Sequence, residues 1–239
     1  MIEYLLPYFE ERKSNIDMLV FHASAHNGDD LVKCLEKQRL SAHYVIDENG
    51  QVIKLVDEKY RAYHAGVSYW RGVEDINSHS IGIEIASLSL GQKKYKKKQI
   101  QTLIDFSNVL IDKYKIPGVN ILGHSDVAPL RKPDPGIGFP WRELANNGIG
   151  LWFDESDAVN FDGASVRELL EIIGYDVRSP EAMSASAYAF CRRFIPSYVS
   201  KVDDISVLVE NFLPDDYEFM QKSKFKKILQ AVAWKYKIF

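Results

Sequence analysis

Cysteine is scarce in this chain: Cys34 and Cys191 are the only two in 239 residues, and they lie far apart. Two distant thiols exclude both a disulfide framework and a thiolate metal site. Long apolar runs are missing too. No stretch approaches the roughly 20 residues that a membrane-crossing helix needs. The first eleven residues lack a basic start followed by a long apolar core, so they do not read as a secretory leader. As written, the chain reads as cytoplasmic; the alternative is a periplasmic or envelope protein whose export signal is not visible in it. An excess of one charge is also absent. Thirty Lys and Arg stand against 33 Asp and Glu, a net charge of −3, which implies no nucleic acid or other polyanion as partner. Lys93-Lys-Tyr-Lys-Lys-Lys98 is a local exception. It reads as a solvated helix end, with contact to an anionic polymer as the alternative. No internal repeat is visible.

What remains is ordinary for a soluble globular protein: 46% hydrophobic and 26% charged residues. The length suits one large or two modest domains. Asp17–His22 reads as a buried strand ending on a histidine. A helix comes next, with Leu31, Val32, Leu35 and Leu40 at roughly helical spacing and Asp29 or Asp30 as its cap. Residues 42–46 and 51–56 flank Asp47-Glu-Asn-Gly50, the pattern of a β-hairpin. Residues 61–64 suggest a short strand. Ser80–Ala86 alternates isoleucine with small or charged residues, so Gly82 and Glu84 share a strand face. Residues 95–114 have a helical apolar stripe, and Pro117-Gly118 stops it. Beyond Val166 the signals are helical: 166–174, 181–194, 203–212 and 219–237. The expected fold is α/β, a mixed central sheet flanked by helices and followed by a small all-α domain. The division falls at 1–150 and 151–239, with residues 146–160 as connector.

The chemistry concentrates in Gly123–Gly136. His124 comes directly after the apolar run Val119–Leu122 and Gly123, and prolines at 129, 133 and 135 hold the loop beyond it extended. His124 and Asp134 are then candidate ligands of one metal, with Lys132 on the same edge as Asp134. His22 also ends a strand-like run, so neighbouring strands bring it beside His124. Two imidazoles and one carboxylate leave a fourth position open on zinc, the pattern of a hydrolytic site. Such a site needs a base, and Glu84 is a carboxylate inside an otherwise apolar strand. His22 and His26 have HxxxH spacing. A zincin helix is excluded, because Ala23 stands where its glutamate would be. His26 is a rim or supporting residue.

Seven motifs in order carry a resemblance: Val-Phe-His22, Ser41-Ala-His-Tyr, His64-Ala-Gly-Val-Ser-Tyr-Trp-Arg-Gly72 with Asn77, Ser80-Ile-Gly-Ile-Glu84, Gly123-His-Ser-Asp-Val-Ala-Pro, Arg131-Lys-Pro-Asp-Pro-Gly136 and Phe139-Pro-Trp141. Over residues 15–150 the chain resembles the zinc N-acetylmuramoyl-L-alanine amidases of type 2. The resemblance implies one zinc on His22, His124 and Asp134, with Glu84 as catalytic base and Lys132 beside the oxyanion. It implies a peptidoglycan or muropeptide substrate, cut between N-acetylmuramic acid and L-alanine. His64, Trp70 and Arg71 are expected to line the substrate groove, although core packing of Trp70 fits equally well. Two other functions stay open, a non-catalytic peptidoglycan-fragment receptor and a zinc peptidase on the stem peptide. One branch that shares the fold carries cysteine as third ligand, and many of its members only bind; Asp134 argues against that branch. Residues 165–177 and 189–196 resemble a small three-helix peptidoglycan-binding domain.

Overall fold

The computed structural model describes residues 1–239 other than Asp203 and Asn211, and their side chains other than those of Val207 and Glu210. In chain order the strands and helices begin with β1 (Ile2–Glu3), β2 (Phe9–Glu11), β3 (Met18–Ser24), α1 (Gly28–Gln38), β4 (Tyr44–Ile46) and β5 (Val52–Lys54). Next come β6 (Tyr60–Ala62), α2 (Ile76–His79), β7 (Ser80–Ala86), α3 (Lys97–Tyr114), β8 (Ile121–Gly123), α4 (His124–Val127) and α5 (Trp141–Asn146). The tail supplies α6 (Val166–Ile173), α7 (Pro180–Phe194), α8 (Ile205–Glu210) and α9 (Ser223–Ile238). The helix expected over 203–212 is thus shorter, and residues 203 and 211 lie outside those described.

Six strands form one mixed sheet in the order β1-β5-β4-β7-β3-β8. The expected hairpin is the antiparallel β4–β5 pair. The centre is parallel: β3 pairs with β7 on one side and β8 on the other, and β4 pairs with β7. β2 and β6 form a separate antiparallel ribbon. Side chains alternate across a strand, and β3 shows both outcomes. Leu19 and Phe21 join Ile81, Ile83 and Ile85 of β7 against Ile100, Leu103 and Ile104 of α3. Met18 and Val20 face the other way, into a core shared with Leu169, Leu170, Phe190, Phe194, Leu229 and Tyr236 of the tail. The tail therefore packs on the part of this face that bears Met18, Val20 and Leu122. Its core is continuous with that of the sheet across the expected boundary at residue 150.

Three local expectations change. Asn27, not Asp29 or Asp30, caps α1: its backbone is extended and its side chain accepts the Asp30 N–H at 3.0 Å. β3 runs two residues past His22, because Ala23 and Ser24 still pair with Ile85 and Ala86. His124 opens a helical turn, with the Ala128 N–H donating to its carbonyl at 2.9 Å, since the first proline comes only at 129.

Candidate metal centre

Parallel pairing sets the site. His22 of β3 stands opposite Glu84 of β7, so both side chains rise from the same sheet face. β8 runs beside β3 and delivers His124 at its carboxyl end. Asp134 returns from the next loop, its carbonyl accepting the Ser125 N–H at 2.8 Å. The three side chains meet. His22 Nδ1 is 2.9 Å from His124 Nδ1, and Asp134 Oδ2 is 3.2 Å from His124 Nδ1 and 3.7 Å from His22 Nδ1. All three residues are at least 95% buried.

These residues fit a metal ion. Their ligand atoms lie within 4.8 Å of one another. Ligands about 2.0–2.1 Å from a tetrahedral zinc stand roughly 3.3 Å apart, close to the spacings found. Charge agrees as well. Burial, with His124 close by, pushes His22 well below the usual histidine range, so it is a neutral imidazole. Burial alone would raise Asp134. His124 first, then His22 and Lys132, outweigh that and hold it well below the usual carboxylate range. Neutral imidazole and ionised carboxylate are the forms that bind metal.

A supporting chain fixes each ring. His124 Nε2 donates to the Ala65 carbonyl at 3.2 Å, which leaves Nδ1 as the free lone pair. His22 Nε2 lies 2.9 Å from His64 Nδ1, and His64 Nε2 lies 3.2 Å from Ser80 Oγ. Ser80 Oγ donates in turn to the Ile76 carbonyl at 2.6 Å. Read in that direction every donor meets an acceptor, and His22 Nδ1 stays free for the metal. His64 therefore stands behind His22 and supports its ring. Its ring lies against Gly82, where an added Cβ would come within 2.5 Å of His64 Cγ. Asn77 Oδ1 accepts the backbone N–H of His64 and Ala65 at 3.2 and 2.8 Å, which sets that loop.

Glu84 is the other charged group of this face. Its Oε2 is shut off from solvent and has no hydrogen-bond partner among the described residues. Burial, and then the charge of Asp134, push its carboxyl up to about 8, while Lys132 pulls the other way. A carboxyl beside a metal site, with one enclosed oxygen that no described residue partners, is poised to exchange protons. Lys132 is half-buried, and its charge acts on His22, Glu84 and Asp134 alike.

The family's sequence pattern, described as N-acetylmuramoyl-L-alanine amidase, matches residues 12–137. The chain is 36% identical over 231 residues to the N-acetylmuramoyl-L-alanine amidase AmiD of Escherichia coli, covering 84% of this chain and 83% of that protein. The chain belongs to the N-acetylmuramoyl-L-alanine amidase family. It also resembles the 1,6-anhydro-N-acetylmuramyl-L-alanine amidase AmpD of E. coli, at 42% identity over 103 residues, 43% of this chain and 55% of that one. Among solved structures, AmpDH3 of Pseudomonas aeruginosa in complex with an anhydromuramic pentapeptide superposes with a TM-score of 0.77 at 29% identity. It covers 96% of this chain and 94% of its own, so the match includes the tail.

Two residues expected in this amidase's groove are elsewhere. Trp70 is fully buried, donates from Nε1 to the Val119 carbonyl at 3.2 Å, and packs edge-on against Tyr175 and Tyr236. No ring face is left for a sugar. Arg71 donates from Nη1 to the Ile172 and Ile173 carbonyls at 3.3 and 3.0 Å, satisfying the C-terminus of α6. That leaves one arm of its fork engaged with the helix end. A cavity of about 350 Å³ opens instead past the carboxyl ends of β3 and β7, lined by His26, Glu48, Ser87, Ser89, Lys93 and Lys94 among others. His26 is thus at a rim, and exposed lysines of the basic cluster share it. No helix among the described residues is long and apolar enough to cross a membrane.

Proposed function

We propose that this chain is a zinc hydrolase of peptidoglycan fragments. It cuts the amide between the lactyl group of N-acetylmuramic acid and the L-alanine of the stem peptide. The observation that carries the reading is the buried His22–His124–Asp134 trio with Glu84 on the same sheet face, its Oε2 without a partner among the described residues. Family membership supplies the substrate class. AmiD has been solved with anhydro-N-acetylmuramic acid-L-Ala-D-γ-Glu-L-Lys, and AmpDH3 with an anhydromuramic pentapeptide. That chemistry supports acceptance of the 1,6-anhydro sugar and a role in cell-wall turnover and recycling.

His22, His124 and Asp134 would hold the zinc, which when bound supplies a Lewis acid that activates water and polarises the scissile carbonyl. Glu84 takes the proton of the attacking water and passes it to the departing alanine nitrogen, base first and acid afterwards. A group whose carboxyl is raised towards neutrality suits both roles. The bound metal's positive charge opposes that rise and favours the ionised starting form. Lys132 offers its ammonium to the oxyanion. His64 orients His22 through the bond between the two rings. The carbon–nitrogen bond breaks, leaving a free lactyl carboxylate and an intact peptide with a free amine.

The cavity past β3 and β7 is the proposed site for part of the stem peptide, in place of the groove at Trp70 and Arg71. Residues 151–239 we read as a buttress of the catalytic half, because their apolar side chains complete its core. A tethered wall-binding module would need a core of its own. The deciding assay incubates zinc-loaded protein with an anhydromuramyl tripeptide and weighs the products by mass spectrometry. The expected products are the sugar acid and the whole tripeptide, with no reaction after chelation. Cleavage within the peptide would make the protein a peptidase and refute the assignment.

A further inference from the structure

Asp126 lies two residues after His124, is 1% exposed, and is not among the metal-binding trio. A buried carboxylate needs partners, and Asp126 has three. Its Oδ2 accepts the Gly123 N–H at 2.8 Å, from the residue just before His124. The same oxygen accepts Arg193 Nη1 at 2.8 Å. Its Oδ1 accepts the Tyr175 hydroxyl at 2.7 Å. Arg193 and Tyr175 belong to the tail, and both are buried. The Arg193 guanidinium also lies over the Trp141 ring, 3.9 Å from its centroid. Trp141 in turn sits under Gly123, where an added Cβ would come within 3.0 Å of its Cζ2. The short turn Gly123–Asp126 is therefore gripped from the tail side, while its Ser125 N–H is bonded to the Asp134 carbonyl.

We propose that Arg193 and Tyr175 are positioning residues for the metal centre, holding the His124 turn through Asp126. The proposal rests on the reading of His22, His124 and Asp134 as metal ligands. A buried ion pair is weak evidence for stability, since packed apolar side chains often do as well. Here two further guanidinium nitrogens, Nε and Nη2, are buried with no partner among the described residues. A merely structural contact gains little from such an arrangement. A directional clamp gains a fixed backbone at the residue that bears a ligand. Such outer partners typically change metal affinity or activity by about 10–100-fold when removed.

The test measures zinc affinity by competition between the metal-free protein and a chromophoric chelator, with thermal unfolding and steady-state kinetics alongside. Arg193→Met fills the same space without the charge. It should weaken zinc binding by about tenfold or more and lower kcat, leaving KM for the muropeptide unchanged. Arg193→Lys should recover part of the loss. Tyr175→Phe keeps the ring and removes one hydroxyl, so it should fold and shift zinc affinity in the same direction. If Arg193→Met fails to fold, that variant decides alone. Arg178→Ala is the control: it removes another contact between tail and catalytic half, with Glu74, and leaves every bond to Asp126 in place. It should leave zinc affinity at the wild-type value. Wild-type zinc affinity in a folded Arg193→Met or in Tyr175→Phe would overturn the proposal, as would an equal loss in Arg178→Ala. Failure of the unmutated protein to bind zinc would instead refute the ligand assignment itself.

Discussion

Trp70→Ala separates the two roles the sequence leaves open for that ring. A tryptophan buries about 150–250 Å², and at about 25 cal/mol per Å² the loss beyond alanine amounts to about 3–5 kcal/mol. The Val119 carbonyl also loses its Nε1 donor, worth about 1 kcal/mol more. Tyr175 and Tyr236, with ring centroids 5.1 and 6.5 Å away, would border the resulting hole. Domains of this kind are stable by about 5–15 kcal/mol in all, so the variant should sit near the edge of folding. Trp70→Phe keeps most of the volume and should cost about 1–2 kcal/mol, chiefly the hydrogen bond and part of the ring. Urea unfolding followed by far-ultraviolet circular dichroism reads the loss as a lower midpoint at similar slope. Muropeptide KM is measured on the phenylalanine variant. A core role predicts lower stability with unchanged KM. An unchanged midpoint with KM raised severalfold would mean that the ring faces substrate, and the burial argument would fail.

Glu84→Gln should keep its fold and its zinc but lose activity by about 10² or more, the usual scale for general acid–base work; near-normal turnover would give the proton to another group. Alanine at His22, His124 or Asp134 should each abolish stoichiometric zinc, read by metal analysis of the purified protein. Full occupancy in the Asp134 variant would remove it from the ligand set. Burial, with Arg12 beside it, lowers His43 from 6.5 to about 3, so it is neutral in the fold and takes up its proton on unfolding. Its contribution is therefore complete above about pH 6.5 and is lost as the pH falls towards 3, with a slope of up to about 1.4 kcal/mol per pH unit. His43→Asn should reduce the pH dependence of stability between pH 6.5 and 4 by about one proton, and an unchanged slope would refute the assignment. A chain ending near Gly150 should be insoluble or equally impaired on soluble muropeptide and on insoluble peptidoglycan. Loss confined to the insoluble substrate would instead support a wall-binding tail.

Much of this arrangement is legible in the sequence because it rests on local pattern. Alternation in Ser80–Ala86 and the apolar runs ahead of His22 and His124 announce strands, and three parallel neighbours put their ends side by side. Asp134 needs only a loop of ten residues to return to His124. What the sequence leaves hidden is long-range. His64 becomes a support for His22 only because Gly82, on another strand, leaves room for its ring. Trp70 and Arg71 look free for substrate as long as the tail is treated as separate. Once α6 and α9 are in place, one is core and the other caps a helix end. Asp126 gave a signal of its own, an acid in a buried turn, but its partners lie 49 and 67 residues away.

The alternation of β3 explains why tail and site coexist on one sheet face. Met18, Val20 and His22 point the same way at successive positions along the strand. The first two join the core beneath the tail helices, and the third stands beyond it with the ligands. β8 repeats the division: Leu122 joins that core, and His124, just after the strand, joins the ligands. The edge of the tail must therefore stop one side-chain repeat short of His22, roughly 7 Å along the strand. Apolar packing alone fixes such an edge poorly, since it is non-directional. Hydrogen bonds to a buried carboxylate fix it well, and Asp126 with Tyr175 and Arg193 stands at that edge. A tail displaced by a single strand position would uncover Val20 or crowd the ligands, and it would part Tyr175 and Arg193 from Asp126.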